Sequence, residues 1–167
     1  GIAFLHAGDE ILRSKPLVER EGFDHNSYQS PDAVNQIRWD SLEDPEVQDM
    51  YNYYKGLIAL RKAHSSFRMT ETQDVVDSLD FIYTDIAGMI AFEVDNLISG
   101  DTAESILVFH NSNKSEVSIT LAEGATYYLV VNEDLAGTET LETYTSGQTI
   151  SIAANSTYVI LVDYDNR

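Results

Sequence analysis

The sequence contains no cysteine among its 167 residues. This absence excludes disulfide bonds and thiolate metal sites, and it fits both the cytoplasm and the exported proteins of Gram-positive bacteria. The chain also lacks any apolar run near the ~18 residues that a membrane-spanning helix needs. Basic residues are scarce, since 10 Lys and Arg face 28 Asp and Glu, for a net charge of −18. Such a charge disfavours nucleic acid and anionic membranes as partners, and it suits a neutral ligand.

The signatures of several common sites are missing as well. The four histidines lie far apart and form no H-x-x-x-H pair, and there is no D-x-D-x-D calcium loop. No nucleophile elbow, P-loop or dinucleotide fingerprint occurs. The sequence therefore predicts neither a metal site nor a cofactor in this chain.

The composition and the hydrophobic pattern change twice within the first 70 residues. Residues 1–7 are apolar and too short for an amphipathic helix, so they are predicted to form a buried parallel strand. Residues 8–45 form a long polar loop with aromatic residues, which favours an ordered, functional loop. Asp44-Pro45 then begins a helix over 46–62, and its apolar residues recur at helical spacing. Residues 63–74 are predicted to be a connection.

From about Leu79 the hydrophobic period changes from 3.6 to 2. Turn residues separate seven candidate strands, at 79–84, 89–95, 105–110, 116–121, 126–131, 149–153 and 157–163. Seven short strands in about 90 residues are typical of a small antiparallel β-sandwich. We expect a domain boundary near residue 70, which gives domains 1–70 and 71–167.

The long loop carries the candidate binding residues. Arg13 and Asn26 are predicted to contact substrate, because a guanidinium and an amide can hold sugar hydroxyls. The alternative for Arg13 is an ion pair within the loop. The rings of Tyr28 and Trp39 could stack on a sugar, although Trp39 is also suited to core packing between loop and helix.

Five residues of this loop are predicted to support the substrate cleft, namely Asp9, Glu10, Asp32, Asn35 and Trp39. Asp9 and Glu10 are adjacent, and adjacent residues leaving a strand point in different directions, whereas glycoside hydrolysis needs carboxyls about 5–10 Å apart across the scissile bond. We therefore expect both to hydrogen-bond loop backbone rather than to catalyse. Asp32 and Asn35 are predicted to brace the loop.

Four motifs of this region carry a resemblance to a known family. Gly1-Ile2-x-Phe4-x-x-x-Gly8-Asp9-Glu10 resembles the last barrel strand of the α-amylase superfamily. Leu12-Arg13-Ser14-Lys15, Asn26-Ser27-Tyr28-x-Ser30-x-Asp32 and Asn35-Gln36-x-x-Trp39 resemble type I pullulanases, which cleave α-1,6 links in pullulan and related α-glucans. Ala3 and Arg38 depart from the family pattern, and neither removes a catalytic group.

The resemblance implies a fold and a function. Residues 1–70 would be the last strand, loop and helix of a TIM (β/α)₈ barrel, followed by the antiparallel β-sandwich. The chain would be the C-terminal fragment of a starch-debranching glycosidase that acts on pullulan and branched α-glucans. Arg13 and Asn26 would lie beside the sugar at the cleavage point.

The resemblance also implies what this chain lacks and what it would contact. The three catalytic carboxylates would lie upstream, so this hydrolase fragment alone should be inactive. Its partners would be the α-glucan and the rest of the barrel, and the isolated fragment could self-associate. Calcium, common in the superfamily, could bind the parent. The expected location is the outside or surface of a bacterial cell, with the cytoplasm as alternative.

Three alternatives for the function remain open at this point. The parent could be another α-glucan debranching enzyme, of the isoamylase or glycogen-debranching type. The sandwich could also be a non-catalytic carbohydrate-binding module, or a purely structural domain.

Overall fold

The computed structural model describes residues 2–17 and 20–165, which form two compact units. One unit spans Ala3–Tyr54, and the other begins at Lys55. This division falls inside a helix, whereas the sequence places a boundary near residue 70. The assignment of 1–70 to a barrel domain stays a prediction.

The unit Ala3–Tyr54 consists mainly of loop. Its short elements are 3₁₀ turns at Asp9–Ile11, Ser27–Gln29 and Trp39–Glu43, and a single helical turn α1 at Asp32–Asn35. The strand predicted over 1–7 is not present in the described part, since residues 2–6 belong to no strand and Ile2 and Phe4 are almost fully exposed. A parallel strand forms only beside another strand, and the described residues offer it none. No TIM barrel is evident in the part of the chain that the structure describes.

Helix α2, at Pro45–Ala63, confirms the predicted helix over 46–62. Asp44 caps it, because its Oδ1 accepts a hydrogen bond of 2.9 Å from the backbone N–H of Glu46. Val47 and Leu60 are buried, whereas Met50 and Ile58 of the apolar stripe are exposed. Among the described residues, no helix is both long and apolar enough to cross a bilayer.

The unit from Lys55 onward contains the sheets. After α2 come a 3₁₀ turn at Ser65–Arg68 and helix α3 at Thr72–Ser78. The eight strands are β1 Leu79–Ile82, β2 Met89–Asp95, β3 Ser105–Asn111, β4 Val117–Thr120, β5 Ala125–Val131, β6 Glu142–Thr145, β7 Thr149–Ile152 and β8 Ser156–Tyr164. One sheet has the order β1-β2-β3-β8-β5-β6, and β4 and β7 form the other. All pairings are antiparallel.

The core of this unit confirms the sandwich. Side chains from both sheets form one buried cluster that includes Phe109, Tyr127, Ile119, Ile152 and Ile160. The opposite face of the large sheet is also buried at the alternate positions of its strands, among them Ile106, Val108, Val130 and Val159. The large sheet is therefore covered on both faces over its central strands.

The seven predicted strands correspond to β1–β5, β7 and β8. Strand β6 was missed because Glu142–Thr145 is mostly polar and forms an edge, where only Tyr144 is buried. The prediction of a connection over 63–74 was wrong in part, because α3 begins at Thr72. Its sequence TQDVVDS has weak helix propensity, so tertiary context decides its conformation.

Candidate functional site

A tight turn opens the long loop. Gly8 has φ 98° and Leu12 has φ 53°, so the chain reverses between them. Asp9 Oδ2 accepts a hydrogen bond of 3.2 Å from the backbone N–H of His6, and Glu10 Oε2 accepts one of 3.0 Å from that of Gly8. Both carboxylates therefore bind loop backbone, and their support of a substrate cleft stays a prediction.

Arg13 joins the two ends of this loop. Its Nη1 donates to the carbonyl of Ala7 at 2.9 Å, and its Nη2 donates to the carbonyl of Asn35. The third group, Nε, is buried and has no hydrogen-bond partner within residues 2–17 and 20–165. The alternative for Arg13 was an ion pair within the loop, but its guanidinium donates to backbone carbonyls instead. The Arg13 side chain is therefore part of the loop structure.

Asn35 braces the same loop, as predicted. Its Nδ2 donates to the carbonyls of Ser27 at 2.6 Å and Ser30 at 2.9 Å, so it holds both ends of the 3₁₀ turn that carries Tyr28. Lys15 Nζ donates to Ser27 Oγ at 2.8 Å and ties this turn to the Arg13 segment. The segments at 13–15, 27–30 and 35 are thus connected by side-chain hydrogen bonds.

Asn26 and Tyr28 are presented on the outside of this scaffold. Asn26 is exposed, and the Tyr28 side chain is 81% exposed. The Tyr28 hydroxyl accepts a hydrogen bond of 2.6 Å from Gln29 Nε2. A flat ring and an amide, both open to solvent and held by a braced turn, can serve as a platform and a hydrogen-bonding group for a sugar.

Asp24 helps to hold the turn that exposes Asn26 and Tyr28, and the sequence analysis did not identify it. Its carboxylate accepts hydrogen bonds from Ser30 Oγ and, at 2.9 Å, from the backbone N–H of Asn26. The hydrogen bond from Ser30, followed by the one from Asn26, lowers the pKa of Asp24. The signal was available, because Asp followed two residues later by a turn is an Asx-turn pattern.

Asp32 and Trp39 lie apart from these contacts. Asp32 is exposed in the first turn of α1, and its side chain makes no hydrogen bond among the described residues. Trp39 is 59% exposed, so the core packing weighed for it is wrong in this chain. Within the described part, no group of three His, Asp or Glu side chains could hold a metal ion.

A second polar cluster lies in the unit from Lys55 onward, and its centre is Asp101. The Asp101 side chain is fully buried and contacts His64 Nδ1 at 2.7 Å. It also accepts the backbone N–H of Ser66 at 3.1 Å. Burial raises the pKa of Asp101, but the hydrogen bonds from His64 and Ser66 outweigh it and the net pKa is lowered.

The cluster extends to the loop between β2 and β3. Ser66 Oγ donates to Asn96 Oδ1, and Asn96 Nδ2 donates to the carbonyl of Ala103 at 2.7 Å. The cluster joins the end of α2 to this loop. Sequence reasoning could not find it, because its contacts join positions 30 or more residues apart.

Comparisons with known proteins agree on one family. Residues 75–135 match the family described as "Pullulanase, all-beta domain". The chain is 34% identical to the pullulanase of Bacillus subtilis (strain 168) over 130 residues, which are 78% of this chain and 17% of that protein.

Solved structures support the same relationship. The pullulanase from Bacillus acidopullulyticus superimposes with a TM-score of 0.80 at 30% identity, over 92% of this chain and 18% of that chain. The pullulanase of Anoxybacillus sp. LM18-11, complexed with maltotriose, gives 0.73 at 27% identity, over 96% of this chain and 20% of that chain. The chain thus spans about a sixth of the length of the curated relative given above. The relationship to pullulanases predicted from the motifs at 1–39 is confirmed.

Proposed function

We propose, from the relationship of this chain to pullulanases, that it is the C-terminal part of a debranching glycoside hydrolase. The parent hydrolyses α-1,6-glucosidic links in pullulan and branched α-glucans. The loop over 8–45 forms one wall of its substrate cleft, and the sandwich is an accessory domain. The observation that carries the proposal is the braced loop that exposes Asn26 and Tyr28.

Each loop residue has a defined part in this proposal. Tyr28 offers its ring to the C–H face of a glucose unit, and the Asn26 amide can donate to one hydroxyl and accept from another. Arg13 and Asn35 keep the segments in register through the hydrogen bonds described above. Arg13 therefore acts on the substrate mainly as a positioning residue, and any direct sugar contact falls to the donors that the loop does not use.

The catalytic carboxylates come from the rest of the parent. A retaining glycosidase needs a carboxylate nucleophile and a carboxylic acid about 5–5.5 Å apart. The proposal assigns Asp9 and Glu10 to the support of the loop, because each accepts a hydrogen bond from loop backbone. The proposal therefore gives this chain substrate positioning and no chemical step.

The charge of the chain agrees with such a ligand. A net charge of −18 repels anionic polymers, whereas a glucan carries no charge. We place the parent outside the bacterial cell or on its surface, where polymeric glucans are met.

The test uses the parent enzyme and single substitutions in the loop. Tyr28→Ala should lower kcat/KM on pullulan by about 10-fold or more, which corresponds to ~1.4 kcal/mol of lost transition-state binding. Arg13→Ala should lower it by about 10–1000-fold, because the loop loses its link between residues 7 and 35. Phe23→Ala is the matched control, since Phe23 is an exposed ring of the same loop, 72% exposed, outside the family motifs.

Two results would contradict the proposal. The first is a change below about threefold for both Tyr28→Ala and Arg13→Ala in a folded parent. The second is release of reducing sugar from pullulan by the pure 167-residue chain, since this would require catalytic carboxylates within it.

A further inference from the structure

A cavity of about 330 Å³ opens in the unit from Lys55 onward. Its wall includes Ile82, Tyr83, Glu93, Leu107, Tyr127 and Tyr164. These residues come from the end of β1, from β2, β3 and β5, and from the end of β8. The volume lies within the range of small-molecule sites, about 300–1,000 Å³. Three aromatic rings and one carboxylate therefore share a single cavity of ligand size.

Each of the three tyrosines already donates its hydroxyl proton in a hydrogen bond. Tyr83 donates to the carbonyl of Thr120 at 2.6 Å, and Tyr127 donates to the carbonyl of Ala122 at 3.1 Å. Tyr164 donates to Glu93 Oε1 at 2.5 Å. A phenol that donates its proton retains acceptor capacity at its oxygen. The rings are thereby held in place, and their hydroxyl protons are not available to a ligand.

Glu93 adds the strongest acceptor of the cavity. Its Oε1 accepts from Tyr164 and from Ser105, whereas its Oε2 has no hydrogen-bond partner among the described residues. Glu93 is only partly buried. The side chains of the cavity thus combine apolar surface with acceptors and offer no spare hydroxyl donor. Such a site disfavours anions and requires a ligand that brings its own donors.

Tyr83, in the wall of the cavity, has an uncommon backbone conformation. Tyr83 has φ 50°, in the left-handed region that bulky residues rarely adopt, and such conformations concentrate at functional sites. Its ring packs on Phe109 with centroids 5.9 Å apart. Burial, and then the nearby Glu93, raise the pKa of Tyr83, which keeps its hydroxyl protonated as a donor to Thr120.

From this geometry we propose that the cavity binds one glucosyl unit of an α-glucan. The site lies within the sandwich unit and is separate in sequence from the loop over 8–45. Sugar hydroxyls donate to Glu93 Oε2 and to the phenol oxygen of Tyr83, while the C–H face of the ring lies on the half-buried ring of Tyr83. The inference rests on the proposed function for the choice of an α-glucan over other polyols.

An ammonium group is the other ligand that brings donors or charge to aromatic rings and a carboxylate. The cavity favours a sugar because it offers more than one acceptor, the Glu93 carboxylate and the Tyr83 phenol oxygen, which suits several hydroxyls around one ring. A compact cation would need only the Glu93 carboxylate as its partner. Choline therefore provides the competing probe in the test.

The test titrates the whole 167-residue chain with maltotriose and follows backbone amide shifts by NMR. We expect saturable binding with a Kd of roughly 1 mM, and shifts concentrated at residues 82–83, 93, 107, 122, 127 and 164. Glu93→Gln keeps the size of the side chain but replaces one acceptor oxygen by an NH₂ group, and it should weaken binding about 10-fold. Glu116→Gln is the matched control, because Glu116 is exposed and does not line the cavity.

A second variant blocks the cavity without changing its hydrogen bonds. Ala122 is an exposed residue of the cavity wall, and only its backbone carbonyl binds Tyr127. Ala122→Trp should abolish maltotriose binding while the melting temperature stays near that of the unchanged chain. It keeps the proposal testable should Glu93→Gln fail to fold.

Several outcomes would overturn the inference. These are no saturable shift at about 10 mM maltotriose, shifts confined to residues 3–54, unchanged affinity in Ala122→Trp, or tighter binding of choline than of maltotriose. If the parent fails to cleave α-1,6 links while maltotriose still binds here, the proposed function fails alone. If the parent cleaves them and nothing binds here, this inference fails alone.

Discussion

Removal of the Asp101 carboxylate should destabilise the unit from Lys55 onward more than any surface change. The side chain is fully buried and accepts two well-formed hydrogen bonds, from His64 Nδ1 at 2.7 Å and from the N–H of Ser66 at 3.1 Å. It also accepts a longer bond of 3.3 Å from the N–H of Ala103. Asp101→Ala leaves these donors without their acceptor, while His64 is only 6% exposed.

The magnitude follows from the number of buried donors. Each buried donor left unsatisfied costs about 1–3 kcal/mol, so the two well-formed bonds together give a loss of about 2–6 kcal/mol. Asp101→Asn keeps the shape and one oxygen, and it should cost about 1–3 kcal/mol. Asp163→Ala, an exposed aspartate on β8, is the matched control and should change stability by no more than about 0.5 kcal/mol.

The assay must isolate the second unit of the chain. Urea unfolding followed by far-ultraviolet circular dichroism gives the free energy of unfolding. Native-state hydrogen exchange at the amides of β3 then reports on the sheet alone. A loss below about 1 kcal/mol for Asp101→Ala, with the control unchanged, would refute the argument that this carboxylate anchors the end of α2.

The same cluster predicts a pH dependence with a defined sign. The folded pKa of Asp101 is lowered from 3.8, so its contribution is fully present above the unfolded pKa and is lost as the pH falls through the folded pKa. The stability difference between the unchanged chain and Asp101→Asn should therefore shrink as the pH falls below about 4. A difference that grows as the pH falls would contradict this reasoning.

Two further predictions concern packing and a buried phenol. Gly56→Ala should lower the free energy of unfolding by about 1–3 kcal/mol, measured by urea unfolding, because the new Cβ would overlap the backbone carbonyl of Ala136. This loss is expected although Ala has the better helix propensity. An equal or higher stability would contradict the prediction. Burial, and then the hydrogen bond to Glu133, raise the pKa of Tyr158 to about 12. Ultraviolet titration of Glu133→Gln should therefore show a lower Tyr158 pKa. An unchanged pKa would contradict this prediction. Since the folded pKa of Tyr158 is raised, its stabilising effect is present below about pH 10 and lost as the pH rises through about 12.

Local pattern was sufficient for most of the secondary structure. The helix over 46–62 was predicted from its cap and its apolar spacing, and seven strands from their period of two. These signals are local, because a cap or an alternating strand depends on residues within a few positions of one another. Motifs at 13–15, 26–32 and 35–39 were likewise sufficient for the relationship to pullulanases.

Other features needed neighbours that the sequence does not identify. Residues 2–6 have the composition of a buried strand, yet they form none, because a parallel strand depends on partners beside it. Strand β6 has almost no hydrophobic pattern and exists because β5 offers it hydrogen bonds.

The candidate sites divide in the same way. The sequence alone identified Arg13, Asn26 and Tyr28 as candidates, and Asn35 as a brace, because these residue types suit a sugar-binding loop. Only the tertiary structure decided that Arg13 is bound to backbone carbonyls while Asn26 and Tyr28 stay exposed. The cavity beside Glu93 and the cluster around Asp101 were also decided there. Both join residues that are distant along the chain, and their distances are set by sheet pairing and packing rather than by local sequence.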